Sequence, residues 1–183
     1  VIDGAKLIVD NYKPKININP EWQVVKLGNA VEFIDGDRGS NYPKKEDFLE
    51  EGYCLFLNTK NVTNKGFNFN NLVYISQEKD QLLRKGKLSL HDIVMTTRGT
   101  LGNIAFVTKD IINRFGNIRI NSGMVIIRPH QGLYPEFVYT LLQLDSLQVQ
   151  FQEISSGSAQ PQLPIRDLSQ VDIFIPPLEE QQK

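Results

Sequence analysis

Apolar positions along this chain recur with two spacings, and the changes between them mark out the elements. Short apolar and aromatic blocks bounded by Gly, Pro, Asn and Asp predict strands. These are YCLFLN (53–58), LVYIS (72–76), IVMTT and NIAFV (within 92–107), INSGMVIIRP (120–129) and VDIFIP (171–176). Helical spacing predicts a short helix over 27–34, with Leu27, Ala30, Val31 and Ile34 on one face. A second helix spans QEKDQLLRKG (77–86), with Ser76 as its cap and Gly86 as its stop. The stretch 135–155 carries Phe137, Leu141, Leu144 and Leu147 in helical register, a core stripe, with a break near 145–146. IRDLSQ adds one helical turn. Strands early and helices late predict an α+β (mixed α/β) domain: a curved, largely antiparallel sheet with flanking helices.

Residues 1–20 alternate Ile with polar groups between Pro14 and Pro20, which predicts a linker or the tail of a preceding domain. The recognisable domain is expected at 21–177. Pro177 followed by LEEQQK predicts the first turn of a further helix at 178–183, with acids near its start. A first residue of Val suggests either a cut from a longer protein or a removed Met, and a helix ending after one turn suggests that the natural protein continues.

Hydrophobic residues at 40% and charged residues at 22% of 183 give enough apolar content for a packed core, which excludes a disordered tail. No apolar run approaches a membrane span and no signal peptide is visible, so a cytoplasmic setting without a membrane partner is expected. Cys54 is the single cysteine, so no internal disulfide or zinc cluster can form; in YCLFL it reads as a buried core thiol. The net charge of −1 argues mildly against nucleic acid. Yet cations gather in polar loops, and a near-neutral domain can still present one positive face.

Catalytic motifs are missing from the sequence. His91 and His130, the only histidines, lack partners at metal-ligand spacing. There is no GxSxG elbow, no Walker loop and no GxGxxG. Asn19-Pro20 runs into Glu21-Trp22 rather than an NPPY-type tetrapeptide, and Asp92 is not followed by the ExK of a nuclease. No metal site, no cofactor and no enzymatic activity are expected in this chain.

Five segments in order resemble the specificity subunit of type I restriction–modification systems. They are WQVVKLGNAVEFIDG, the loop DGDRGSNYP with CLFLNTKNVTNKG, KGKLSLHDIVMTTRGTLGNIAFV, INSGMVIIRP, and SGSAQPQLPIRDLSQVDIFIPPLEEQQK. The last is the most specific, because in that family a Gly/Ser/Gln loop, a turn, a strand and PPLEEQ lead into a spacer helix. The resemblance covers about residues 22–183. It implies a fold like the specificity domain of an adenine methyltransferase, reading one half of a bipartite duplex DNA site. It further implies partners: a methyltransferase subunit or domain that binds S-adenosylmethionine, and a restriction subunit. Residues 1–20 look like the tail of a fused adenine methyltransferase.

Three polar segments then become candidate DNA readers. In the loop 35–45, Arg38 suits guanine and Asn41 adenine, Ser40 adds a hydroxyl, Tyr42 suits a sugar or base, and Lys44 and Lys45 suit phosphates. The competing reading is a solvated loop with Arg38 paired to Asp35 or Asp37. In the turn TTRGTLGN (96–103), Thr96, Thr97, Arg98 and Thr100 are candidates, against a structural hairpin in which Arg98 binds a carboxylate. In SSGSAQPQ (155–162), Ser158, Gln160 and Gln162 are candidates, against a rigid loop that docks the last strand. Lys60, Asn61 and Asn64 read better as a solvated turn, and Phe67 and Phe69 as sheet-edge packing. A protein-interaction domain that binds no nucleic acid is the rival function class.

Overall fold

A computed structural model describes residues 22–155 and 161–182. The expectations placed on residues 1–20, and on Ser158 and Gln160, lie outside them. The described elements are α1 (Leu27–Ala30), α2 (Gln77–Leu82), α3 (Lys109–Phe115), α4 (Pro135–Leu142), α5 (Asp145–Ser155) and α6 (Ile165–Leu168). The strands are β1 (Gln23–Lys26), β2 (Val31–Asp35), β3 (Cys54–Leu57), β4 (Val62–Thr63), β5 (Gly66–Phe67), β6 (Tyr74–Ile75), β7 (Ile93–Thr96), β8 (Ile104–Phe106), β9 (Asn117–Ile120), β10 (Met124–Pro129) and β11 (Asp172–Ile175).

The central antiparallel sheet has the order β2-β10-β7-β8. Its inner strands are apolar on both faces, the pattern of strands covered on both sides. Along β10, Val125 and Ile127 face one cluster and Met124 and Ile126 the other; all four are fully buried. The first cluster lies under α4, α5 and α6, through Val138, Leu142, Leu147, Phe151 and Leu168. The second packs the sheet against a smaller one, β6-β3-β9, through Leu55, Leu57, Ile118 and Ile120. Beyond that sheet, Phe56, Ile75 and Leu83 form a third cluster with Tyr42 and Phe48.

The α+β class and the dominance of antiparallel pairing agree with the sequence reading, with two differences. The strands form two packed sheets plus two small pairs, β1-β11 and β4-β5, and β3 runs parallel to β9. The helix expected over 27–34 stops at Ala30. Val31–Asp35 continues as β2, paired residue by residue with β10, because the sheet's hydrogen bonds outweigh a helical spacing that only four side chains support.

β1 and β11 pair antiparallel and bring the two ends of the domain together. Residues 178–182 make hydrogen-bonded turns rather than a helix, with the amides of Glu180 and Gln181 both donating to the Pro177 carbonyl. Side chains hold this segment down: Trp22 Nε1 donates to Glu180 at 3.1 Å, and Gln181 accepts from the Tyr134 amide at 3.0 Å.

Candidate nucleic-acid interface

The end of the central sheet gathers three loops. β2 delivers Asp35, and the next residue lies so close to the 121–122 backbone that a Cβ on Gly36 would meet the Asn121 carbonyl oxygen at 2.2 Å. This contact sets where the following Arg38 emerges. Arg38 Nη2 donates to the Ser122 carbonyl (3.3 Å) and to Asp35 (3.2 Å). From β7, the amides of Thr97 and Arg98 both donate to the Gly123 carbonyl, at 2.8 and 3.1 Å. The third loop joins through Leu163, whose amide donates to the Thr97 carbonyl at 3.0 Å, and through a backbone bridge between Arg98 and Gln162. The result is a cleft of about 200 Å³ lined by Asp35, Arg38, Thr97, Arg98 and Gln162, with Leu163, Pro164 and Ile165 as its apolar wall.

Four of the residues singled out from sequence, with all three polar segments represented, therefore line one cleft: Arg38, Thr97, Arg98 and Gln162. Thr97 builds it without facing out. Its side chain is buried and its hydroxyl donates to the Gly123 carbonyl at 3.1 Å. Thr96 is likewise buried, its hydroxyl bonded to the Thr100 carbonyl, while Thr100 itself is exposed on the turn. Both threonines lock the hairpin, because polar groups buried beneath a turn must find partners.

The remaining loop residues sort differently. Ser40 and Asn41 line a neighbouring cleft with Asp37, Gly39 and Arg84, where the Asn41 amide reaches toward the Leu82 carbonyl at 3.4 Å. Tyr42 packs edge-on against Phe56 at 5.9 Å between ring centroids, so its ring anchors the loop to the core. Lys44 and Lys45 are exposed where the 3-10 turn Lys45–Asp47 begins. Asn61 is buried and bonds the carbonyls of Asn68 and Asn70, so it braces its own turn. Arg84 and Asp37 were not proposed as DNA contacts from the sequence. The basic run at 84–87 around Gly86 was the available signal for Arg84.

Electrostatically the two arginines of the first cleft differ. Arg38 has Asp35 as a half-exposed ion-pair partner. Arg98 is exposed, and its guanidinium has no partner among the described residues. Asp37, in the wall of the neighbouring cleft, is 5% exposed. Burial pushes its carboxyl up, but amide donors from Gly39 and Arg84, both at 2.7 Å, and the Arg84 guanidinium together hold it down at about 2. A carboxyl whose native value falls from 3.8 to about 2 stabilises the fold above the higher value and loses that contribution as pH drops through the lower. We expect Asp37→Asn to be less stable than wild type by on the order of 2 kcal/mol near neutrality, with the gap closing between pH 5 and 2. Urea midpoints across that range check it; a gap that does not vary with pH would contradict it.

Elsewhere, no group of three or more His, Cys, Asp or Glu among the described residues could hold a metal ion. No described helix is long and apolar enough to cross a membrane. Cys54 is fully buried, and its thiol is pushed up to about 12 by burial and by the Asp80 charge, which makes it a poor nucleophile.

The cleft thus presents two exposed arginines and the Gln162 amide at one braced sheet end. The chain belongs to the type I restriction modification DNA specificity domain family, whose family model matches residues 19–183. It is 27% identical over 179 residues to the type I restriction enzyme EcoBI specificity subunit of Escherichia coli, covering 96% of this chain and 35% of that protein. The fold matches a solved chain of a type I R-M system (TM-score 0.67, 18% identity, 97% of this chain and 40% of the other). It also matches the HsdS subunit from Thermoanaerobacter tengcongensis (TM-score 0.63, 22% identity, 92% and 37%). The chain thus spans about a third of the length of this curated relative.

Proposed function

We propose that this domain reads one half of a bipartite duplex DNA target, using the cleft of Arg38, Arg98 and Gln162 as its base reader. The observation that carries this reading is the convergence of those three side chains, from three separate loops, at one braced sheet end. Arg98 offers a free guanidinium fork, the group that pairs with guanine O6 and N7 in the major groove; Gln162 offers the amide that pairs with adenine. Arg38 must exchange Asp35 for DNA, a change that a half-exposed ion pair makes at little cost. Exposed Lys44 and Lys45 suit phosphates, which position a reader without carrying sequence information.

Methylation of adenine, with S-adenosylmethionine, and cleavage would belong to a partner methyltransferase and a restriction subunit. The sequence of this segment carries neither an NPPY-type tetrapeptide nor an ExK after Asp92. A fused methyltransferase upstream would leave the role of this segment unchanged.

The test is binding to duplex DNA by the full-length protein that carries this domain. Arg98→Ala is expected to weaken binding to the cognate duplex by roughly 5- to 150-fold, the equivalent of about 1–3 kcal/mol for one bidentate pair. Binding to random duplex should weaken much less. Arg98→Lys should not restore the cognate preference, because an ammonium lacks the fork. Unchanged discrimination in Arg98→Ala would contradict the reading.

A further inference from the structure

The loop 36–41 contributes residues to two clefts, and only the first has been given a role above. The second is formed by Asp37, Gly39, Ser40, Asn41 and Arg84. Its cation among the described residues, Arg84, has a side chain that is 76% exposed and a main chain that is tied to the loop, with three contacts placing it. Its own amide donates to Asp37 at 2.7 Å. Its guanidinium lies 3.7 Å from the other oxygen of the same carboxylate. The third point is Gly39: a Cβ there would come within 2.8 Å of Arg84 Nη2, so the guanidinium occupies space that only glycine leaves open. Asp37 also accepts from the Gly39 amide, so one buried carboxylate ties the reading loop to the segment after α2.

We propose that Arg84 is a DNA phosphate contact, held at a fixed offset from Arg38 by the Asp37 clamp and by the missing side chain at Gly39. This rests on the DNA-reading role of the adjoining cleft. Asp37 is a positioning residue here. A charge that is open to solvent but fixed relative to the base readers sets register along a duplex, and Ser40 and Asn41 add neutral donors beside it. The long ion-pair distance leaves the guanidinium's remaining donors free for an anion.

Glycine 39 supplies a discriminating variant. Its added methyl would meet the far end of the Arg84 side chain at 2.8 Å and Asp37 Oδ1 at 3.2 Å, with no backbone atom in the way, so Gly39→Ala should stay folded with the carboxylate shifted by a few tenths of an ångström and the guanidinium displaced. In the full-length protein, fluorescence anisotropy on a cognate and a random duplex, each titrated over a range of salt, provides the readout. We expect Arg84→Ala to make the slope of log binding constant against log salt shallower by about one on both duplexes. Gly39→Ala should lose part of that increment and Arg84→Lys should keep most of it, with the preference for the cognate duplex retained in all three. If Arg84→Ala leaves the slope unchanged while Arg98→Ala loses cognate preference, the assignment of Arg84 is wrong and the reading of the first cleft survives. If neither variant changes binding, both are wrong.

Discussion

Replacing Asp80 by Ala is expected to cost about 3–5 kcal/mol of folding stability, the largest effect of any single substitution considered, because it strands a buried arginine. Arg119 on β9 is 5% exposed and Asp80 on α2 is 2% exposed. The guanidinium donates to the Asp80 carboxylate at 2.5 Å and also to the carbonyls of Lys85, Asp80 and Leu83. Lys87 donates to the second carboxylate oxygen at 2.8 Å. Every polar atom of this cluster is satisfied as it stands. Without the carboxylate, the three carbonyls remain but no counter-charge does. For a domain whose total stability is about 5–15 kcal/mol, this is a large fraction, and it corresponds to a fall in Tm of roughly 6–20 °C. The double variant Asp80→Leu with Arg119→Met should recover much of the loss, since removing both charges is far cheaper than removing one. Thermal and urea unfolding of the two variants beside wild type decides this. An Asp80→Ala protein that melts with wild type would show that the pair contributes nothing.

Gly36→Ala is the second large effect, and it joins stability to the site. Its Cβ would lie 2.2 Å from the Asn121 carbonyl oxygen, 2.5 Å from its carbon and 2.9 Å from the Ser122 amide nitrogen. All three are backbone atoms of the turn between β9 and β10, so no side chain can swing away. The strands must separate, at about 1–3 kcal/mol or more. Because Arg38 bonds the Ser122 carbonyl and Thr97 and Arg98 bond the Gly123 carbonyl, that separation also moves the cleft's two arginines relative to each other. The expected result is a lower urea midpoint and, at temperatures where the variant is still folded, weaker cognate DNA binding. Wild-type stability together with wild-type binding would refute the close approach.

Much of this fold was legible because its elements state themselves locally. Ile93–Thr96 and Ile104–Phe106 are apolar blocks around a Gly turn, and the helix cap at Ser76 donates no surprise: its hydroxyl accepts from the Lys79 amide at 3.2 Å. The break in 135–155 also falls where Asp145 starts α5. The short helix α3 was not read from the sequence, although it carries a Thr108 cap, Asp110 in its first turn, Arg114 in its last and Gly116 at φ 65° as its stop. Its Ile111, Ile112 and Phe115 are too few to announce a period. The start of β2 was misread because Val31 and Ile34 extend the i, i+3, i+4, i+7 helical spacing that Leu27 and Ala30 begin; only pairing with β10, about a hundred residues on, overrides it.

At the site, residue types were legible and their exposure was not. Thr97 and Arg98 are neighbours in sequence, yet one is buried beneath the Gly123 carbonyl and the other is open to solvent. That difference comes from the turn's hydrogen bonds, which no local pattern encodes. The Asp37–Arg84 link, like Asp80–Arg119, joins residues about 40 positions apart through the fold.

Base reading by the loops at this sheet end, as proposed above, would show in the sequence that a full assembly methylates. Methylation mapping of the host genome by single-molecule sequencing tests it most directly, comparing the native gene with one in which residues 35–45 are exchanged for those of a relative of different specificity. The expected result is a changed sequence in one half of the methylated motif and an unaltered other half. Retention of the original motif in both halves, by a folded and active assembly, would contradict it.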